Sequence, residues 1–264
     1  MSHLSRAGLR RIFSMKVFWI LLLGTNVIYG IYSAFEKYTF YLYHYLTFAL
    51  LPAYIVSTVL TVYMIHQDFH SGTIRNKLIS GNSRRSLYYS WITVSFAMSL
   101  IMYSTLLITT LCVGMAKEHV FTTEGVQASD FAIVLILSVL ILLGNAAIST
   151  FLTAAGRSRS LIAPIVINLL LLGVVYGMVF LYKVISSGNL SYYDHFYKIV
   201  FFAVLYATPG GECYRATIGP SMNRWNDLYE QCKPESIIGF SLLIIFTATV
   251  IWRGVQLFKK RDIE

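Results

Sequence analysis

The chain has 264 residues, of which 56% are apolar and 12% are charged, and its formal net charge is +9. Such a composition provides too little polar surface to cover a water-soluble globule of this size, so lipid is the solvent expected for most of the chain. The basic residues cluster at the ends of apolar runs, a pattern that sets orientation in a membrane and does not indicate nucleic-acid binding. We therefore expect an all-α, polytopic membrane protein with one transmembrane domain, residues 1–264.

The first 16 residues have the pattern of a basic amphipathic helix. Leu9, Ile12 and Phe13 fall on one side of such a helix, and the basic residues fall on another, namely Arg6, Arg10 and Arg11. A helix of this kind lies along a membrane surface with its apolar face among the lipids. We expect residues 1–16 to contact the inner leaflet, with Arg6, Arg10, Arg11 and Phe13 at the interface. A disordered basic tail is the alternative.

Six apolar runs are long enough, or nearly long enough, to cross a bilayer, which takes about 20 helical residues. They are residues 17–35, 38–67, 86–116, 131–156, 160–182 and the shorter run 236–252. The apolar stretch 199–211 is too short to span, so we expect residues 199–233 to form an outer re-entrant segment before the last helix. Six spans place both termini in the cytoplasm together with about two thirds of the lysine and arginine residues, as the positive-inside rule requires.

The longest inner connection, residues 66–85, has the signals of a short helix. Thr73 is a suitable N-terminal cap, Gly72 precedes it, and Gly81 is suited to end the helix. The sequence therefore predicts a cytoplasmic helix held below the membrane between two spans.

This region resembles the permease subunits of ABC exporters, the class that moves drugs, peptides, polysaccharides and lipids, and especially the small permeases of bacterial peptide and antibiotic exporters. The resemblance rests on an acidic residue after the second span, a Gly-Thr-Ile sequence, a short amphipathic helix and an arginine before the third span. It implies a coupling helix that contacts an ATPase, involving Asp68, Gly72, Thr73, Ile74, Arg75, Asn76, Lys77, Leu78 and Arg84. Asp68 stands where glutamate is usual in that family, which shortens the reach of any salt bridge there.

The resemblance also implies the partners. Two copies of a cytoplasmic ATPase would supply the nucleotide site, with ATP and Mg, and a second permease copy or a paralogue would complete the path. This agrees with the absence from the sequence of a Gly-x-x-x-x-Gly-Lys-Ser/Thr phosphate-binding motif. We expect no enzymatic activity, catalytic residue or cofactor in this chain. An alternative role for Arg75, Lys77, Arg84 and Arg85 is only to orient the helices and bind anionic lipid.

Three amides lie inside the predicted spans: Asn26, Asn145 and Asn168. A buried amide in lipid either bonds to a neighbouring helix or lines a wet path, so these residues are candidates for the translocation path or for helix packing. No Asp, Glu, Lys or Arg lies near the middle of a span, which argues against a proton- or ion-coupled carrier.

Two further pairs of residues carry possible chemistry. His66 and His70 have the helical spacing of a zinc site, but Gln67 replaces the general base of that motif and a third ligand is missing, so we expect no metal. Cys213 and Cys232 both fall in the outer segment, where they either form a disulfide or remain free thiols.

The sequence thus favours a multi-pass permease subunit in the cell membrane, and we expect that membrane to be the cytoplasmic membrane of a bacterium. The expected substrate is an amphipathic or antimicrobial peptide, a drug or a lipid. Two other functions stay open at this point: a membrane-embedded enzyme that acts on lipid or peptide, and a sensor or immunity protein that transports nothing.

Overall fold

A computed structural model describes residues 3–35, 49–116, 128–156, 160–187 and 234–260. Within these ranges the chain consists of helices and their connecting turns, without a strand. The predicted re-entrant segment 199–233, and with it Cys213 and Cys232, lies outside the described residues.

The described residues form eight helices. They are α1 (His3–Ser14), α2 (Lys16–Phe35), α3 (Leu50–His70), α4 (Thr73–Ile79), α5 (Arg84–Ala116), α6 (Ala128–Ala155), α7 (Ile162–Ser187) and α8 (Pro234–Lys259). Five of these, α2, α3, α5, α6 and α8, are long and apolar enough to cross a membrane. The all-helical architecture is as predicted, and the five helices fit a multi-pass membrane protein.

Three helices differ by five residues or more from the apolar runs that predicted them. Helix α7 continues to Ser187, five residues past the end of the fifth run. The second run begins at residue 38, whereas α3 begins at Leu50. The sixth run ends at residue 252, but α8 has 26 residues and continues to Lys259. Its final turns continue because Val255 and Phe258 are buried in the core of the bundle. Tertiary packing, which the hydropathy of the run alone does not reveal, thus sets the length of α8.

Helices α5 and α6 are the centre of the bundle. Helix α5 contacts α1, α2, α3, α6 and α8, and α6 contacts α3, α5, α7 and α8. The core between them contains large buried side chains such as Tyr54, Ile65, Met98 and Met102. Outward faces of the long helices remain apolar, with exposed Ile28, Leu170 and Ile245 among others. Lipid is the environment that suits such faces.

Helix α1 is ordered against the bundle. Its Ile12 is fully buried, and Gly8 approaches α5 so closely that a Cβ atom on it would lie 2.8 Å from a Val94 methyl carbon. The turn into α2 is fixed by Trp19, whose Nε1 donates a hydrogen bond to the Phe13 carbonyl oxygen at 2.8 Å. The predicted N-terminal helix is therefore present, and the alternative of a disordered tail is wrong for residues 3–14. Its position on a membrane surface stays a prediction.

The end of α8 packs closely on the start of α5. A Cβ atom on Gly254 would lie 1.9 Å from the Tyr88 hydroxyl oxygen, so only glycine permits this approach. Phe258 lies with its ring centroid 6.1 Å from that of Tyr88 and 5.2 Å from that of Trp91. Helices α1, α4 and α8 are thereby gathered at one end of the bundle, around the start of α5.

Candidate functional site

A buried carboxylate lies where α3 ends. The Asp68 side chain is only 3% exposed. Its Oδ1 accepts a hydrogen bond from Arg11 Nη1, and its Oδ2 accepts one from Lys77 Nζ at 2.9 Å and one from Trp91 Nε1 at 2.8 Å. Gln67 Oε1 accepts a further bond from Arg11 Nη2 at 3.2 Å. We call these five residues the Asp68 cluster.

The Asp68 cluster joins four helices through one side chain. Arg11 comes from α1, Lys77 from α4 and Trp91 from α5, while Asp68 belongs to α3. Burying a lone carboxylate costs several kcal/mol, of order 20 in the idealised limit, unless cations and hydrogen bonds compensate. Arg11 and Lys77, 30% and 26% exposed, provide that compensation while keeping part of their own hydration. The cluster is therefore stable only while α1, α3, α4 and α5 stay together.

Aromatic rings shield the Trp91 side of the cluster from solvent. The Trp91 ring centroid lies 5.7 Å from that of Phe69, and Phe258 of α8 covers another side of the same ring. Rings excluding water lower the local dielectric constant, which strengthens the hydrogen bonds to the Asp68 carboxylate. The end of α8 is thus linked to the same site by packing rather than by charge.

Helix α4 has one face anchored to the bundle and one face free of it. Ile74 is buried, and Lys77 points into the Asp68 cluster. On the other side Arg75 and Asn76 are exposed, and Ile79 is 74% exposed. Leu78 is half-buried and packs against the core. This seven-residue helix is therefore held rigidly while it presents a basic and apolar surface outward.

The turns that flank α4 follow the sequence signals. Gly72 precedes the helix with a φ of 65°, and Gly81 follows it with a φ of 86°. The prediction of a short helix between these glycines is confirmed. The prediction that Thr73 caps it is wrong: Gly72 occupies the cap position without a side-chain bond, and Thr73 is the first helical residue, with its hydroxyl bonded to that of Ser71.

Gly72 provides a test of this turn. Its left-handed backbone costs a residue with a Cβ atom about 1 kcal/mol, whereas asparagine tolerates the conformation, and nothing lies within 4 Å of the position such a Cβ would take. Gly72→Ala is therefore expected to lower the thermal unfolding temperature of the purified protein by about 3 °C. Gly72→Asn is the matched control and is expected to change it by less than about 1 °C. Equal effects of both substitutions would show that strain at this turn is unimportant.

Arg84, the last of the predicted coupling residues, lies apart from the Asp68 cluster. Its Nη1 donates to the Lys259 carbonyl oxygen at 3.2 Å, which places a guanidinium at the C-terminal end of α8. A cation there stabilises the unpaired carbonyls and the negative end of the helix dipole. Arg84 thus fastens α8 to the start of α5.

Sequence reasoning missed three members of the Asp68 cluster, Arg11, Gln67 and Trp91. The helical position of Arg11 predicts a membrane-interface residue like Arg6, Arg10 and Phe13, which are indeed exposed. One signal pointed to a different role. Asp68 is the single acidic residue in residues 3–35 and 49–116, so burial of its end of α3 requires a base from elsewhere.

The amides of the spans form hydrogen bonds between helices. Asn145 of α6 and Asn168 of α7 are both buried, and Asn168 Nδ2 donates to Asn145 Oδ1 at 3.1 Å. Asn145 Nδ2 also donates to the Tyr54 carbonyl oxygen of α3 at 3.0 Å. The group, which we call the amide cluster, consists of Tyr54, Ser57, Thr58, Asn145, Ser149 and Asn168.

Asn26 bonds to a different helix. Its Oδ1 accepts from Thr109 Oγ1 at 2.7 Å and its Nδ2 donates to Thr105 Oγ1 at 3.2 Å, both on α5. All three amides therefore have the interhelical partners that a packing role requires. Their assignment to a translocation path stays a prediction.

The two histidines of the hypothetical zinc site lie next to each other at the end of α3. The ring centroids of His66 and His70 are 6.1 Å apart. Across the described part of the chain, no group of three or more His, Cys, Asp or Glu side chains is placed to hold a metal ion.

The Asp68 cluster provides a mechanical connection. It joins the small helix α4 to two long helices, α3 and α5, and to the N-terminal helix α1. Comparison with protein-family models, with curated proteins and with solved structures finds no match for the chain. The function must therefore be argued from the geometry of this site.

Proposed function

We propose that this chain is the permease subunit of an ATP-driven ABC exporter and that α4 is the helix that contacts a separate cytoplasmic ATPase. The observation that carries the proposal is the outward face of α4, where Ile79 is 74% exposed beside the exposed Arg75. A large apolar side chain on a short helix beyond the long apolar helices is the kind of group that a protein partner covers.

The attachment of α4 supports a role in transmission. A rigid element pushed by a partner passes the displacement to whatever it is packed against. Ile74 anchors α4 in the core, and Lys77 connects it through Asp68 to α3, α5 and α1. Closure of the ATPases on ATP would in this way tilt the spans of two permeases relative to each other.

The complete transporter in this proposal has six spans in each permease, formed by α2, α3, α5, α6, α7 and α8. Helix α7 is included because it has 26 residues, the first of which form the apolar segment Ile162–Val174. Both termini then lie in the cytoplasm with α4, as the distribution of basic residues requires. A second permease copy or a paralogue and two ATPase subunits complete the assembly, and ATP and Mg bind to the latter.

The substrate class proposed is amphipathic peptide, drug or lipid, and the direction is export. Both follow from the family resemblance of the segment from Asp68 to Arg84, and none of the contacts described above depends on them. The proposed location is the cytoplasmic membrane of a bacterial cell.

Purification from detergent tests the proposal. The tagged chain is expressed with its natural partners, and the ATPase activity of the purified material is measured together with its thermal unfolding. Arg75→Glu combined with Ile79→Ser is expected to reduce the copurifying ATPase activity at least about tenfold, because both changes fall on the outward face of α4. The unfolding temperature should be unchanged, since neither residue is buried.

The matched control is Lys260→Glu combined with Phe13→Ser, which likewise reverses one basic charge and replaces one exposed large apolar side chain by serine, at positions outside α4. This variant should retain the ATPase. If the wild-type protein itself brings no ATPase activity, the exporter proposal is wrong, and a sensor or immunity protein becomes the function to test. If the α4 variant retains the ATPase in full, α4 is not the contact.

A further inference from the structure

A cleft opens between the start of α5 and the last turns of α8. Its volume is about 420 Å³, and its principal lining residues are Arg85, Tyr89, Ile251, Trp252, Gln256 and Lys259. Arg84 fastens the two walls together through its bond to the Lys259 carbonyl oxygen. The cleft is separate from the outward face of α4 and from the amide cluster, and the function proposed above does not use it.

The lining residues of the cleft are more apolar towards Trp252, although the Arg253 guanidinium carbon lies 5.0 Å from the Trp252 ring centroid. Arg85 and Lys259 lie at the end of the bundle, and Trp252 lies seven residues before Lys259 on α8, about 10 Å further along the helix axis. Tyr89 and Ile251 accompany Trp252, and none of the described residues that line the cleft is acidic. The guanidinium carbon of Arg85 lies 5.6 Å from the Tyr89 ring centroid, which holds this charge beside the opening.

We propose that this cleft binds an anionic phospholipid, with the phosphate between Arg85 and Lys259 and the upper part of an acyl chain along Ile251 and Trp252. Two cations, Arg85 and Lys259, with no acid among the described residues that line the cleft, suit a phosphate. A free anion would use only that end of the cleft, whereas a lipid also covers the exposed indole and the isoleucine. Aromatic side chains at this depth are typical of the membrane interface.

Lipid of this kind would stabilise the contact between α8 and α5. Its phosphate bridges Arg85, on the first turn of α5, and Lys259, the last residue of α8. The inference requires only that the chain lies in a membrane, so it can fail or hold independently of the ATPase partner.

Thermal unfolding of the purified chain in an uncharged detergent tests the inference. Phosphatidylglycerol is expected to raise the unfolding temperature at concentrations at least about tenfold below those at which phosphatidylcholine does. Arg85→Gln combined with Lys259→Gln should abolish this difference. The matched control, Arg75→Gln combined with Lys260→Gln, removes the same charge from exposed positions that do not line the cleft and should retain it.

Three results would overturn the inference. Equal loss of selectivity in both double variants would mean general attraction of anionic lipid to a basic surface. Protection by inorganic phosphate alone, equal to that by phosphatidylglycerol, would assign the cleft to a free anion. Equal protection by the two lipids would remove any role for the charges.

Fluorescence quenching locates the lipid. The contribution of Trp252 to the fluorescence is obtained as the difference in emission between the wild-type protein and the Trp252→Phe variant. Brominated phosphatidylglycerol should quench this contribution more strongly than brominated phosphatidylcholine does, and the preference should disappear in the Arg85→Gln, Lys259→Gln variant. Quenching of Trp252 that does not depend on the headgroup would place it against bulk lipid and contradict the inference.

Discussion

Asp68→Asn is expected to lower the thermal unfolding temperature by about 10 °C and to release α1 from the bundle. The substitution keeps the shape of the side chain but removes its charge. It also places an amide NH₂ group, which is a donor, where the Asp68 carboxylate only accepts hydrogen bonds. Breaking a buried ion pair by removing one partner costs about 3–5 kcal/mol, and the partial exposure of Arg11 and Lys77 puts the expected cost near 3 kcal/mol. A chain of this size loses about 3 °C per kcal/mol.

Limited digestion with trypsin measures the release of α1. Arg6, Arg10 and Arg11 are cleavage sites that the packed helix protects, so cleavage within α1 should accelerate at least about tenfold in Asp68→Asn. The control replaces all three charges by apolar side chains, Arg11→Met, Asp68→Leu and Lys77→Met. Because no buried charge is left unpaired, this triple variant should recover part of the lost unfolding temperature. Recovery is not complete, because the buried Trp91 Nε1 loses the Asp68 acceptor. An Asp68→Asn protein as stable and as resistant to trypsin as the wild type would show that the cluster holds nothing together.

The difference between the predicted and the observed parts of this site has a physical reason. Helix α4 is set by neighbours in sequence: the glycines at both ends adopt left-handed backbone, which is a local property that residue type reveals. The partner of Asp68 is set by how α1 folds back on the bundle, and Arg11 is 57 residues away in sequence. A helical projection of α1 shows which residues share a face but not which face meets α5.

For the long helices too, the sequence predicts local features but not those that depend on tertiary contacts. Apolar length predicted α2 and α5 nearly to the residue, because an uninterrupted apolar run is the main sequence signal of a helix long enough to cross a bilayer. The end of α8 could not be predicted in this way, because its extension depends on the close approach of Gly254 to Tyr88 and on the burial of Phe258. The sequence does not distinguish the roles of the three amides, because a polar residue occupies the same kind of position in an apolar run whether it bonds to a neighbouring helix or lines a translocation path.

Asn145→Leu is expected to lower the thermal unfolding temperature by about 6 °C. The Asn145 side chain bonds to the Tyr54 carbonyl oxygen, Ser57, Thr58, Ser149 and Asn168. Side-chain hydrogen bonds within membrane proteins contribute about 0.6 kcal/mol each, so five amount to about 3 kcal/mol. Several partners keep a second bond, as Thr58 does to the Tyr54 carbonyl oxygen, which reduces the expected loss to about 2 kcal/mol.

Asn26→Leu is the matched control, since it removes an amide that joins only two helices, α2 and α5. One of the threonines that Asn26 contacts, Thr105, keeps its own bond to the Met102 carbonyl oxygen. The unfolding temperature is therefore expected to decrease by about 3 °C or less. If the exporter proposal holds, a transport assay then separates the two possible roles of Asn145. A packing residue lowers stability and, after correction for the folded fraction, leaves transport intact. A loss of transport in an Asn145→Leu protein of unchanged unfolding temperature would assign this amide to the translocation path instead.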